Sequence, residues 1–257
     1  MTPDQEARSP SPSAVATYYD DWTSRYLEHF GDTIQAHRPT RLEDLHAYLA
    51  KQAGIRDGKR VLDAGCGVCG PSVSFARGHA ITVEALTISP VQARMASEHV
   101  AKAGLSDRIH VRAGDFHRLE QLYPREEFDL VYFLESMSHS PRPDRVLAGV
   151  AHVLKPGGIV YIKDYFIRQC ETAEEQRRVM RVIENVDRLF ETKTPVVAEM
   201  IAHLRAAGFL PVRIQRPAFQ VDNRPWQAFE RAGGFDLFDG QPSFDWSEWW
   251  ELKFQKP

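Results

Sequence analysis

Residues 61–70, VLDAGCGVCG, run an apolar strand into closely spaced glycines. Val61 and Leu62 read as a buried strand, Asp63 stands near its carboxyl end, and Gly65, Gly67 and Gly70 open a turn into a helix. Residues without side chains tolerate positive φ and let a ligand approach the main chain, so this stretch is built to hold a nucleotide-like molecule against backbone. The spacing also fits the GxGxxG fingerprint of dinucleotide binders, and only the residues further along can separate the two readings.

Outward from that turn the chain alternates. Strands are expected at 60–64, 81–88, 108–113, 128–134 and 158–166, with helices between them. Ser89 followed by Pro90 is a helix start, because serine caps free amides and proline suits the first helical position. Lys155-Pro156-Gly157-Gly158 reads as the turn into the fifth strand. Such alternation predicts an α/β fold with a doubly wound, mainly parallel sheet and a ligand beyond the carboxyl ends of the strands. Two further strands, at 210–216 and 251–255, bring the sheet to seven, and helices are expected at 173–190 and 195–207. Aromatic-rich helical stretches at 15–30 and 41–53 precede the first strand. The expected organisation is a disordered tail (1–13), a helical lid (14–56) and a main domain (57–257) with an aromatic insertion at about 218–250.

Composition narrows the partners. A formal charge of -3 gives no basic field for nucleic acid. No apolar run reaches the roughly 18 residues of a membrane span, and the start of the chain lacks an apolar leader. Cys66, Cys69 and Cys170 form no even disulfide framework, which suggests a reducing, cytoplasmic compartment. Cys66 and Cys69 make a CxxC, but no second pair follows at zinc spacing, so two small residues packing a tight turn is the plainer reading. A small-molecule substrate is expected, and a homodimer is compatible with everything above.

VLDAGCG, ALTISPVQ, AGDF, FLES and LKPGG occur in that order across residues 60–165. Together they resemble a class I S-adenosylmethionine-dependent methyltransferase. The LTISPVQ version, with the upstream YYDDW helix, is similar to the branch of sterol, cyclopropane fatty acid and prenyl diphosphate C-methyltransferases. The resemblance implies a Rossmann-like methyltransferase fold and S-adenosylmethionine as cofactor. It places Asp63, Gly65 and Gly67 at the methionine end, Thr87 and Gln92 near the ribose, and Asp115 with Phe116 at the adenine, while Tyr18 is a further candidate cofactor contact. Here the chain departs from the commoner pattern, which ends the second strand in an acidic residue; Glu84 lies three residues earlier and is expected to face elsewhere.

Glu135 stands where the fourth strand opens onto the site, and a carboxylate there can bind substrate, stabilise a cation or accept a proton. The ordinary alternative is a glutamate that orders the loop or helps hold the cofactor. His139 can assist or replace it. Tyr19 and Trp22 on the first helix, with Phe166 at the end of the fifth strand, are candidate substrate contacts, since aromatic faces stabilise cations by roughly 0.5 to 2 kcal/mol each. Arg38 is the candidate for an anionic head group, with Arg41, Lys163 and Arg168 as further choices. Mg²⁺ is expected only if the substrate is a diphosphate, and no metal ligands can be named. The expected activity is methyl transfer to an alkene carbon of an isoprenoid or prenyl diphosphate. O- or N-methylation of a small metabolite is the alternative. An NAD-dependent oxidoreductase and a non-catalytic cofactor-binding module are the readings from other classes.

Overall fold

The computed structural model describes residues 9–257. In chain order the elements are α1 (Pro12–Phe30), α2 (Leu42–Ala53), β1 (Arg60–Ala64), α3 (Gly70–Gly78), β2 (Thr82–Thr87), α4 (Pro90–Lys102), β3 (Ile109–Ala113), α5 (Leu119–Leu122), β4 (Phe128–Leu134), α6 (Pro143–Val153) and β5 (Leu154–Ile167). They continue as α7 (Ala173–Phe190), α8 (Val197–Ala206), β6 (Leu210–Gln215), α9 (Arg224–Gly233) and β7 (Ser247–Gln255). The seven strands form one sheet in the order β3-β2-β1-β4-β5-β7-β6. β1 to β5 run parallel, and both pairings of β7, with β5 and with β6, are antiparallel. The order reverses between β1 and β4, which is where a ligand crevice opens in a doubly wound sheet.

The strands of the sheet centre are buried on both faces, as parallel strands flanked by helices must be. One layer packs Leu147, Val150 and Leu204 against Leu62 and Phe133; the other packs Leu45, Leu49 and Phe75 against Val61 and Tyr132. The helix α2 therefore belongs to a covering layer, and of the expected lid only α1 lies apart from it. A third cluster lies outside the sheet and is almost wholly aromatic. In it Tyr26 and Phe30 of α1, Phe190 of α7 and Phe229 of α9 are joined by Leu237 and the rings of residues 235–246.

Several boundaries differ from the expected ones. Helix α1 begins at Pro12, within the expected tail, because Ser11 Oγ accepts from Ala14 N and Pro12 takes the first helical turn. The rest of the tail, residues 1–8, lies outside the described residues. Strand β5 starts at Leu154, which pairs with Phe128 ahead of a register irregularity, so the Lys-Pro-Gly-Gly turn is an irregular strand entry. The aromatic insertion contains α9 and ends at Ser247, where β7 begins pairing with Ile167.

Candidate active site

Two adjoining cavities open at the carboxyl edge of the sheet. The first is lined by Asp63, Gly65, Gly67, Thr87, Gln92, Asp115 and Phe116, so the structure brings together seven of the eight residues expected around the cofactor. Asp63 is buried at the end of β1, where its Oδ2 accepts from Ser72 Oγ (2.7 Å), and burial pushes its carboxyl up to about 7. Gly65 has φ 102°, and a Cβ there would run into Ser136, whose own Oγ donates to the Ala64 carbonyl. Gly67 is also left-handed, at φ 54°, but an added Cβ would meet only Ile34 Cδ1 at 3.8 Å. The first glycine is thus required by the protein, and the second keeps space open beside the cavity.

Thr87 Oγ1 donates to Gln92 Oε1 (2.7 Å), and Ser89 Oγ fixes the Gln92 amide by accepting from it (2.9 Å). Ser89 in turn donates to Asp20 Oδ1, which also accepts from Val91 N, so α1 is tied to the start of α4. Glu84 faces away and pairs with Arg60. Asp115 Oδ1 accepts from His117 N (2.9 Å) and lies 2.6 Å from His117 Nδ1. Burial acts to raise the Asp115 carboxyl, and the His117 hydrogen bonds override it and hold the carboxyl below its usual range. His117, which no motif singles out, completes this wall and also reaches Ser140 Oγ (2.8 Å).

The second cavity, of about 580 Å³, is walled by aromatic rings: Tyr19, Tyr26 and Phe30 of α1, Phe190, Trp226 and Trp249 among them. Tyr19, Ile34, Glu135 and His139 line both cavities and so mark the boundary between them. Glu135 has φ 58°, and that left-handed turn aims its carboxylate at the loop before α2. Its Oε2 accepts from Ala36 N (2.7 Å), its Oε1 from His37 N (3.3 Å), and the fully buried Lys163 ammonium pairs with it. With that many donors the carboxylate clamps the loop. Its geometry matches the loop-ordering alternative better than that of a free base.

His139 is different. Its Nδ1 lies 2.9 Å from the Glu191 carbonyl, an acceptor only, so Nδ1 carries the proton and Nε2 accepts from Tyr19 OH at 2.8 Å. Burial pushes the imidazole down to about 4 and keeps it neutral. Burial also holds the Tyr19 phenol well above its ordinary value, so this pair is a neutral hydroxyl–imidazole relay facing both cavities.

Four expected contacts fall elsewhere. Tyr18 lines neither cavity; it hydrogen-bonds Tyr26 OH (2.7 Å) inside the aromatic cluster, because one residue along a helix turns the side chain by about 100°. Trp22, on the same side, packs on Phe235 and Phe229. Phe166 is fully buried in the sheet core, while its neighbour Tyr165 lines the second cavity, as alternation along a strand requires. Arg38 is buried and spends its guanidinium on the carbonyls of Phe30 and Thr33. The other basic candidates do not line the second cavity either: Lys163 is buried against Glu135, Arg41 makes a surface ion pair with Asp44, and Arg168 lies 3.5 Å from Glu175. No lysine or arginine is among the described residues that line the second cavity. Among the described residues no three His, Cys, Asp or Glu side chains converge as metal ligands, and no helix is long and apolar enough to cross a membrane.

A family model described as a methyltransferase domain matches residues 55–208. The sterol 24-C-methyltransferase of Gibberella zeae is 29% identical over 236 residues, covering 88% of this chain and 61% of that protein. The chain spans about half to three fifths of the length of such curated relatives. Among solved structures, the 4+2 cyclase SpnF superposes with TM-score 0.79 at 22% identity, over 97% of each chain. The geranyl diphosphate C-methyltransferase of Streptomyces coelicolor, solved with Mg²⁺ and S-adenosyl-L-homocysteine, gives TM-score 0.75 at 15% identity over 98% of this chain and 99% of that one. At such identities these two likenesses establish the fold.

Proposed function

Because the chain belongs to the methyltransferase domain family, whose members use S-adenosylmethionine, we propose that it methylates an alkene carbon of a neutral, largely apolar isoprenoid. The residues of the first cavity suit this cofactor. Asp63 offers an acceptor for an ammonium, Gly67 leaves room beside backbone, and Gln92 and Asp115 supply polar groups for the ribose and adenine. When bound, S-adenosylmethionine supplies an electrophilic methyl on a sulfonium.

The observation that carries the acceptor is the second cavity, with aromatic walls and no lysine or arginine among its described lining residues. An alkene carbon that takes up a methyl leaves a carbocation on the substrate, and ring faces stabilise that charge where water is excluded. A diphosphate needs cations around it, and none of the candidate cations lines this cavity. The relay then removes a proton: Tyr19 Oη accepts it from the carbon next to the cation as Tyr19's own proton passes to His139 Nε2. An imidazole held near 4 is a weak base. A proton beside a carbocation is acidic enough for it. The name of the sterol 24-C-methyltransferase relatives supports a carbon acceptor on an isoprenoid-derived skeleton.

The test supplies S-adenosylmethionine with matched neutral alkenes and their diphosphate esters, with and without Mg²⁺. Turnover is expected for the neutral compounds, with Tyr19→Phe and His139→Gln each cutting kcat roughly 10²-fold. Preference for the diphosphates, or full turnover by both variants, overturns the reading.

A further inference from the structure

One wall of the first cavity is backed by a chain of three side chains. His117 Nδ1 lies 2.6 Å from Asp115 Oδ1, and His117 Nε2 lies 2.8 Å from Ser140 Oγ. A carboxylate only accepts, so Nδ1 carries the proton and donates to Asp115, and Nε2 accepts from the Ser140 hydroxyl. Ser140 is pinned in turn, its Oγ accepting from Arg142 N (3.2 Å). Asp115 Oδ1 takes both the His117 ring and the His117 amide (2.9 Å), whereas Oδ2 takes no hydrogen bond among the described residues.

Carboxylate, imidazole and hydroxyl in that order are also the parts of a nucleophilic triad. That use fails here, because Ser140 is 3% exposed and lines neither cavity, while Asp115 and His117 both line the first. The chain therefore works toward Asp115. His117 is held at both ring nitrogens and, through its carbonyl, by Arg145 of α6 (3.1 Å), so the imidazole fixes the carboxylate in one orientation. We infer that His117, braced by Ser140, is a positioning residue of the cofactor site: it presents Asp115 Oδ2 as a fixed acceptor and so makes the site select a 6-amino purine over a 6-oxo purine. This rests on the first cavity being the cofactor site with Asp115 at its adenine end. An adenine 6-amino group donates to Oδ2, whereas a 6-oxo group sets a second acceptor against it, and sites built to bond a donor reject ligands that lack one. Burial acts to raise the Asp115 carboxyl, and the His117 hydrogen bonds, with Arg118 nearby, keep it low and ionised.

The test titrates S-adenosylhomocysteine and S-inosylhomocysteine, its 6-oxo counterpart, into the protein by calorimetry. Near neutral pH the adenosyl compound is expected to bind at least about tenfold more tightly, the scale of one hydrogen bond to a charged group. His117→Leu should cut that ratio roughly 3- to 10-fold, and Ser140→Ala should cut it in the same direction. His117→Asn keeps an N–H near the place of Nδ1 and should restore most of the ratio. Both ligands carry the same amino-acid end, so the titration of Asp63 cancels in the ratio. As pH is lowered, the ratio should begin to fall at a higher pH in His117→Leu than in the unaltered protein, because the buried Asp115 carboxyl then takes up its proton sooner. A merely structural loss weakens both ligands alike and moves neither the ratio nor its pH profile. A ratio near one in the unaltered protein, or one unchanged in His117→Leu, overturns the inference; if His117→Leu does not fold, an unchanged ratio in Ser140→Ala does so. If the unaltered protein binds neither compound, the cofactor reading itself falls and takes this inference with it, so the two failures are distinct.

Discussion

Gly65 and Gly67 lie two residues apart in the same turn, yet they answer to different constraints. A Cβ on Gly65 collides with Ser136, at a φ that L-residues avoid, so Gly65→Ala should destabilise the fold by at least about 2 kcal/mol in denaturant unfolding. Gly67→Ala is also strained, at φ 54°, but should fold with a smaller loss because its new Cβ meets only Ile34 at 3.8 Å, and it should weaken cofactor binding by calorimetry. Asp63 gives a pH signature. Its carboxyl is held up to about 7 by burial, so below that pH it must release a proton to meet a cofactor ammonium. Affinity for S-adenosylhomocysteine is therefore expected to rise with pH, by up to about tenfold per unit, between 5 and 7 and to level off above. Asp63→Asn should flatten that slope; a slope unchanged in the variant removes Asp63 from the ammonium site. These cofactor-side residues were legible because backbone turns and strand ends leave a local signature. Tyr18 and Phe166 were not, since their direction depends on the phase of α1 and β5 against distant partners, and the rings that line the cavity are the adjacent Tyr19 and Tyr165.

Helix α1 links two functions. One part of it feeds Tyr19, Tyr26 and Phe30 into the wall of the second cavity, while Asp20 holds Ser89, the residue that fixes the Gln92 backbone amide. Asp20→Ala should loosen this tie. Hydrogen exchange is expected to quicken along α1 with the central strands unchanged, and cofactor affinity should drop roughly 3- to 10-fold, the scale of one charge-assisted hydrogen bond. Equal protection in the variant shows that aromatic packing alone holds the helix. The parallel strands were readable because each is a short apolar run between turn signals. The start of β7 was hidden, as Ser247-Glu248-Trp249-Trp250 shows no clean alternation and its antiparallel pairing with β5 is set by contacts more than 80 residues away.

At the scale of the molecule, charge and shape divide the labour. The sheet crevice presents carboxylates and glycines, which the proposed function gives to the charged cofactor, and α1, α7, α9 and the 235–246 segment build an aromatic chamber, which it gives to an uncharged acceptor. The aromatic insertion was visible in the sequence, but its role depends on meeting α1 across the carboxyl edge, which no local pattern encodes. Arg38 and Lys163 lie outside the second cavity, buried in loop-holding bonds that a count of basic residues cannot reveal. The decisive measurement follows a ¹³C-labelled methyl from S-adenosylmethionine into the product and locates it by carbon NMR. Methyl transfer to an alkene of a neutral isoprenoid predicts a one-bond ¹³C–¹³C coupling when the acceptor carbon is also labelled, with one S-adenosylhomocysteine released per product. A label bonded to oxygen or nitrogen, or S-adenosylmethionine bound without any transfer across such acceptors, would contradict it.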